Sequence, residues 1–215
     1  MIRRLPVYIL ADCSGSMSGD PIEAVKQGIR LLHSNLMGDP SAVESAYLSV
    51  ITFDSGARQV VPLTEVAAFS PPDLQATGTT ALGAALKLLI DRMGTEVRKT
   101  TGDQKGDWKP LVFILTDGNP TDSWQSYAAQ IKQNKPTPAN IIAVGCGDGV
   151  DSSILKQITE TVLLLKDMSG DAFATFFKWV SASVSQTSAK CGASPDAAAG
   201  GVALPPPPAG ITIVP

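Results

Sequence analysis

The residue types best suited to chemistry in this chain are Asp12, Ser14 and Ser16, spaced two apart after the apolar run Leu5-Pro6-Val7-Tyr8-Ile9-Leu10-Ala11. A second apolar run, Leu111-Val112-Phe113-Ile114-Leu115, closes in the same way with Thr116-Asp117-Gly118. Carboxylates and hydroxyls are hard oxygen donors, and a set made of them favours magnesium, manganese or calcium over zinc or copper. Any one of these segments could be a turn or a cap, because Asp, Ser and Gly hydrogen-bond locally in such places. Their recurrence at the ends of two apolar runs argues for more. A carboxylate at the end of a buried strand needs compensation, and a cation supplies it.

Bringing these residues together requires an open α/β sheet, since short continuous apolar runs read as parallel strands covered on both faces. Between the two runs, residues 21–37 carry Ile22, Val25, Ile29, Leu32 and Leu36 at helical spacing, with Asp20 as the expected N-cap and Pro21 in the first turn. Residues 47–53 and 57–63 read as strands joined by Asp54-Ser55-Gly56, a hairpin whose second strand is antiparallel at the sheet edge. A Pro-rich loop leads to Gly78-Thr79-Thr80 and the helical stripe Leu82, Ala85, Leu86, Leu89 and Ile90. After strand 111–115 come a helix over 124–133, a strand at 141–144, a short helix capped by Asp151 or Ser152, and a strand at 162–165. A last helix covers about 171–184, with Phe173, Phe176, Phe177 and Val180 inward. The expected fold is α/β: a doubly wound, mostly parallel six-stranded sheet of Rossmann-like kind with one antiparallel edge strand. In the usual strand order, strands one and four adjoin at the topological switch point and deliver Asp12 and Asp117 to one crevice. The hydroxyls of Gly78-Thr79-Thr80 can approach the same crevice. The domain is expected to span residues 1–186. Residues 187–215, rich in Ala, Gly, Ser and Pro, read as a disordered or polyproline tail.

Composition removes several functions. The chain has 215 residues, 44% hydrophobic and 17% charged, which suits one large domain. A net charge of −3 and a pI near 5.1 argue against nucleic acid as a partner. The three cysteines, Cys13, Cys146 and Cys191, are too few and too odd a number for a disulfide scaffold and point to a reducing, cytoplasmic setting. Arg3-Arg4 before an apolar stretch superficially resembles a signal peptide, but Pro6 and Asp12 bound that stretch and no small-x-small site follows. No run approaches the ~20 apolar residues of a membrane helix, so a membrane is not an expected partner. The lone His33 falls on the flank of the first helix, and Cys13 reads as a small buried thiol. Trp108, after a polar stretch, reads as half-packed or as part of a docking surface. Gly145-Cys146-Gly147-Asp148-Gly149 follows the fifth strand and lacks the third glycine of a dinucleotide fingerprint.

Asp12-x-Ser14-x-Ser16, a Gly-x-Thr before a helix and a Thr-Asp-Gly after a central strand together resemble the metal-ion-dependent adhesion site (MIDAS) of von Willebrand factor type A domains, over about residues 4–186. The resemblance implies Ser14, Ser16 and Thr80 as direct ligands of Mg2+ or Mn2+, with Asp12 and Asp117 acting directly or through water. Many relatives have Gly-Gly-Thr where this chain has Gly78-Thr79-Thr80, which leaves Thr79 open as the ligand beside Thr80. Five segments resemble more narrowly the TerY-like tellurium-resistance group of bacteria. They are Arg4-Leu5-Pro6-Val7-Tyr8, Ile51-Thr52-Phe53-Asp54, Ala81-Leu82-Gly83-Ala84-Ala85-Leu86, Gln104-Lys105-Gly106-Asp107-Trp108-Lys109-Pro110 and residues 176–184. That likeness implies a stress-response or signalling assembly containing a protein kinase and a PP2C-type phosphatase.

The expected function is therefore a metal-dependent protein-binding module and not an enzyme. An ion held mainly by neutral hydroxyls keeps positive charge and an open position, which, as the resemblance implies, an acidic residue of a partner fills. The alternatives are a metal-assisted phosphoester hydrolase and a scaffold with a vestigial metal site. Hydrolysis needs a base or nucleophile beside the ion. The sequence has no P-loop glycine-lysine motif, Gly19 stands where a cysteine phosphatase has arginine, and Ser14 stands where a phosphotransferase loop has its second aspartate.

Overall fold

Every residue of β1 (Leu5–Asp12) is buried, which marks it as an interior strand packed on both faces. Side chains alternate along it: Val7, Ile9 and Ala11 enter one apolar layer, Tyr8 and Leu10 the other. It pairs in parallel with β2 (Ala46–Phe53) on one side and β4 (Leu111–Thr116) on the other. β5 (Asn140–Cys146) and β6 (Thr161–Leu165) continue the parallel array. β3 (Ala57–Glu65) returns antiparallel from β2 at one edge, and the short β7 (Ile211–Ile213) pairs antiparallel with β6 at the other. The resulting order, β3-β2-β1-β4-β5-β6-β7, is a doubly wound α/β sheet of seven strands rather than six. These features come from a computed structural model that describes residues 3–133, 138–193 and 204–214.

Two helical layers cover the sheet. α1 (Asp20–Met37) and α6 (Gly170–Ala193) lie on the face that carries Val7 and Ile9. α3 (Leu82–Glu96), α4 (Gln125–Lys132) and α5 (Ser152–Ile158) lie on the face that carries Tyr8 and Leu10. α1 and α6 meet closely, because Gly28 leaves room for the Phe177 ring, which a Cβ there would approach to 1.9 Å. A short α2 (Pro40–Ser45), not evident in the sequence pattern, is capped by the Asp39 carboxylate on the Ser41 and Ala42 N–H groups. Asp20 is not the cap of α1. Gly19 takes that position with a φ of 83°, and Asp20 sits in the first turn, where a carboxylate favours the helix dipole.

The carboxyl end of the chain departs most from expectation. α6 continues past 184 through residues 187–193, with Val184, Thr187 and Ser188 buried, and its buried hydroxyls are satisfied by carbonyls one turn earlier: Ser181 by Phe177 (2.8 Å), Ser183 by Trp179 (2.8 Å) and Thr187 by Ser183 (2.7 Å). Residues 204–214 are packed rather than disordered. The Trp179 indole N–H donates to the Pro205 carbonyl (2.9 Å), Ile211 is buried, and the Val214 N–H donates to Val162 (2.9 Å). The open edge of β6 gives Ile211-Thr212-Ile213 a ladder that composition alone does not show. The boundary at 186 and the disordered tail are thus corrected over 187–193 and 204–214; residues 194–203 lie outside the described residues. Among the described residues no helix is long and apolar enough to cross a membrane.

Candidate metal centre

β1 and β4 are neighbours whose carboxyl ends stop together, Ala11 standing beside Leu115. Asp12, the last residue of β1, is 1% exposed. Its Oδ1 accepts the Ser14 N–H (2.8 Å) and its Oδ2 accepts the Thr116 hydroxyl (2.6 Å). The Ser14 and Ser16 Oγ atoms lie 3.0 Å apart, and the Ser16 hydroxyl donates to Asp117 Oδ1 (2.8 Å). Asp12, Ser14, Ser16 and Asp117 therefore form one hydrogen-bonded chain across the switch point, through the Ser14 N–H and the two serine hydroxyls, buried at Ser14 and exposed at Ser16. Thr80 is buried, and its Oγ1 lies 3.2 Å from where a Cβ on Gly118 would stand. Its hydroxyl thus faces the residue after Asp117. Thr79 is exposed, and its hydroxyl reaches Ser55 Oγ at 3.4 Å. Of the two threonines, Thr80 is the one that borders the crevice.

Backbone contacts fix these loops. The Thr77 N–H donates to the Cys13 carbonyl (2.8 Å) and the Gly15 N–H to the Gly78 carbonyl (3.1 Å). Gly78 has a φ of 72°, and a Cβ there would meet Ser55 Oγ at 2.4 Å, so only glycine fits where the Thr79-Thr80 loop passes the hairpin. Met17, 1% exposed, anchors the 3-10 turn that carries Ser16. Two residues that sequence reasoning missed complete the frame. Thr116 holds Asp12. Asp122 accepts the Gly83 and Ala84 N–H groups (2.8 Å each) at the start of α3, while the Thr121 N–H donates to the Thr80 carbonyl (2.9 Å). The loop after Asp117 is thereby clamped to the helix that follows Thr80. An aspartate just ahead of a helix was the available signal, but by position it reads as a cap for α4.

The charge balance fits a cation. Burial pushes the Asp12 carboxyl above its usual range, and the charge of Asp117 adds to that against the bonds from Ser14 and Thr116. Burial raises Asp117 too, against the Ser16 bond. Among the described residues neither carboxylate has an ion pair with lysine, arginine or histidine. No group of three or more His, Cys, Asp or Glu side chains is placed to hold a metal among the described residues, so any ion here would depend on the hydroxyls as well. Two carboxylates with serine and threonine oxygens are a hard donor set of the kind that suits Mg2+ or Mn2+. Cys13 is not part of it: its side chain is 2% exposed in the apolar layer, and burial pushes its thiol up to about 12. His33 is remote from it, with a ring nitrogen 3.0 Å from the Val66 carbonyl and its ring against Phe69.

Comparisons with known proteins bear on the family and the fold. A family model described as von Willebrand factor type A domain matches residues 7–177. An uncharacterised protein of Synechocystis sp. is 36% identical over 123 residues, which are 54% of this chain and 26% of that protein, so the match spans about a quarter of the relative's length. Among solved structures, a von Willebrand factor type A protein from Catenulispora acidiphila superposes with a TM-score of 0.63 at 21% identity, covering 86% of this chain and 43% of that one. Proximal thread matrix protein 1 of the mussel byssus, with zinc occupying its MIDAS motif, gives 0.61 at 21% identity over 84% of this chain and 48% of its own. At such identities these structures speak to the fold.

Proposed function

The chain belongs to the von Willebrand factor type A domain family, and from that premise we propose that its carboxyl-edge crevice is a MIDAS-type site through which a divalent cation recruits a protein partner. Domains of this family commonly bind proteins through such a site. The observation that carries the reading is the pair of carboxylates, buried Asp12 and half-buried Asp117, joined through the Ser14 N–H and the Ser14 and Ser16 hydroxyls, with no basic side chain among the described residues to neutralise them. Mg2+ or Mn2+ is the proposed ion, held by Ser14, Ser16, Thr80, Asp12 and Asp117. The zinc in the mussel protein's MIDAS motif supports a divalent cation at the equivalent place. A bound ion would supply positive charge and an open position for an acidic residue of the partner. The chain's own residues do the rest: Thr116 and the Ser14 N–H hold Asp12, Asp122 fixes the Thr80 loop, and the exposed Ser16 stands at the mouth.

We further propose a non-enzymatic role in a cytoplasmic stress-response or signalling assembly of TerY-like kind, with a protein kinase or a PP2C-type phosphatase as the partner. The segments that resemble that group support this narrower reading, and the absence of imidazole or reactive thiol beside the crevice among the described residues supports a binding role. The test is capture from native cell extract by immobilised protein, in Mg2+ and in excess chelator, with wild type and Asp117→Ala. The same partner should be lost with chelator and with the variant. Retention in both conditions would pass the function to the surface as a plain scaffold. Hydrolysis of generic phosphoesters in Mg2+ or Mn2+, abolished by Asp117→Ala, would pass it to an enzyme.

A further inference from the structure

The polar stretch between α3 and β4 takes no part in the crevice. It lies at the opposite edge of the sheet, where the parallel strands begin, and the length of β1 puts roughly 20 Å between the two edges. There a cavity of about 400 Å3 opens between the start of the chain and residues 97–110. Its floor is apolar, made by Val97, Trp108, Pro110 and Pro138; its rim is cationic, made by Arg3, Arg98, Lys99 and Lys109. Asp107 is the acid on this lining, and its side chain is 2% exposed and already engaged. It binds Arg4 twice, at 2.9 and 2.6 Å, and accepts the Arg98 N–H at 2.8 Å. The side chains of Arg98, Lys99 and Lys109 are exposed and form no ion pair with another described residue.

This surface is a built platform, unlike an ordinary solvated charge run. Arg3 donates to the Gly106 and Asp107 carbonyls (2.7 and 3.0 Å) and lies 4.1 Å over the Trp108 ring. The Trp108 N–H donates to Arg4 (2.8 Å), and the Asp107 N–H to Arg98 (2.9 Å). A Cβ on Gly106 would stand 2.5 Å from the Arg98 carbonyl oxygen and the Thr100 nitrogen, so the loop closes tightly on itself. The carboxyl end of α3 draws cations electrostatically, yet Arg4 already takes the Glu96 carbonyl (2.8 Å), and Lys109 belongs to the approach to β4. Helix polarity therefore accounts for Arg98 and Lys99 but not for Arg3 or Lys109.

We propose that this cavity is a second docking site, which takes an acidic segment of a protein partner with one apolar or aromatic side chain inserted against Trp108 and its carboxylates on the rim. Charge complementarity carries the choice. In a chain of net charge −3 the rim is a local reversal of sign, with cations spread around an apolar floor. A compact anion such as phosphate is best held by converging N–H groups, whereas the cations here are spread around an apolar lining. Spaced carboxylates flanking an apolar residue match the arrangement, and tryptophan and arginine, here an indole with a guanidinium over its face, are the side chains enriched at binding hot spots. With sites at opposite edges, one molecule can hold two partners at once. This site needs no metal.

The test is a titration of the 15N-labelled full chain, in excess chelator, with the synthetic peptide Glu-Asp-Phe-Asp-Glu and its uncharged analogue Gln-Asn-Phe-Asn-Gln. The acidic peptide should shift the Trp108 indole N–H and the amides of 97–110, with binding that weakens as salt is raised. Arg98→Glu with Lys109→Glu, both on exposed positions, should weaken it by about tenfold or more, while Asp117→Ala binds as wild type does. Equal binding of the uncharged peptide, competition by inorganic phosphate at equal concentration, shifts confined to the carboxyl-edge crevice, or no saturation at millimolar peptide would each overturn the proposal. Because no divalent ion is present, loss of binding at this cavity leaves the metal centre untouched, and the two readings fail separately.

Discussion

Ser16 is the exposed link in an oxygen chain whose inner members are buried, and the residues around it divide cleanly by role. Asp12 and Ser14 are held from within, by Thr116 and by backbone; Asp117 accepts from the exposed Ser16 and borders solvent. Asp117→Ala should therefore leave the metal-free melting temperature unchanged or slightly higher, within about 0.5 kcal/mol in stability, because it removes one of two uncompensated carboxylates. Calorimetric melts in chelator check this. Ser14→Ala should weaken Mn2+ binding less than Asp117→Ala does, since one neutral ligand is lost and no charge, and parallel titrations of the two variants compare them. Asp12, Ser14, Ser16 and Asp117 were legible in the sequence because their spacing after apolar runs is itself the signal. Thr116 and Asp122 were not, because their partners lie far along the chain, Asp12 for one and Gly83 for the other. Between Thr79 and Thr80 the sequence had no means of choosing; the choice depends on which hydroxyl faces Gly118.

At the scale of elements, the site depends on how α3 meets the loop after β4. Gly83 touches that loop backbone to backbone, since a Cβ there would lie 2.3 Å from the Ser123 carbonyl oxygen. The Asp122 carboxylate serves as the missing cap of α3, whose own N-cap position holds Ala81 with no side-chain bond. Asp122→Ala should cost about 1 kcal/mol of stability and also weaken Mn2+ binding, although no ligand is removed, because Thr80 and Asp117 lose their common support. Asp122→Asn, which keeps one acceptor, should recover part of both. Thermal melts and metal titration on the same samples check the pair of effects, and a loss of stability with unchanged metal affinity would make Asp122 a cap and nothing more. Strand and helix periodicity located nearly every element that carries the site, because buried parallel strands and amphipathic helices leave strong patterns. The short α2 and the far end of α6 left weak ones, since α2 is held by the Asp39 cap and the far end of α6 buries small polar residues such as Thr187 and Ser188 in place of large apolar ones.

For the molecule as a whole, the strand order explains why one edge of the sheet suits a cation and the other an acidic segment. Parallel strands put Asp12 and Asp117 at their carboxyl ends and Arg3, Trp108 and Lys109 before their amino ends. The segment 204–214 pairs with β6 at the sheet edge and packs on Trp179, so it is expected to contribute to stability. Removing residues 204–215 would expose the β6 edge and Ile211, and would leave the Trp179 N–H and the Lys156 ammonium without the Pro205 and Val214 carbonyls. The expected loss is about 2 kcal/mol, or roughly 4–8 °C in melting temperature for a domain of this size. An unchanged melt would mean that β7 adds nothing to the fold. This segment was illegible because four prolines precede it and its apolar residues form too short a run to call a strand without a waiting edge.

The central claim is that Asp12, Ser14, Ser16, Thr80 and Asp117 form a divalent-cation site. Its most direct test is calorimetric titration of the full chain with Mn2+, and with Mg2+ for comparison, in wild type and Asp117→Ala. The account predicts a single saturable site in wild type, tighter for Mn2+ than for Mg2+ as the divalent affinity order requires, and no measurable binding in the variant. Equal Mn2+ affinity in Asp117→Ala, or no binding to wild type at millimolar Mn2+, would contradict it.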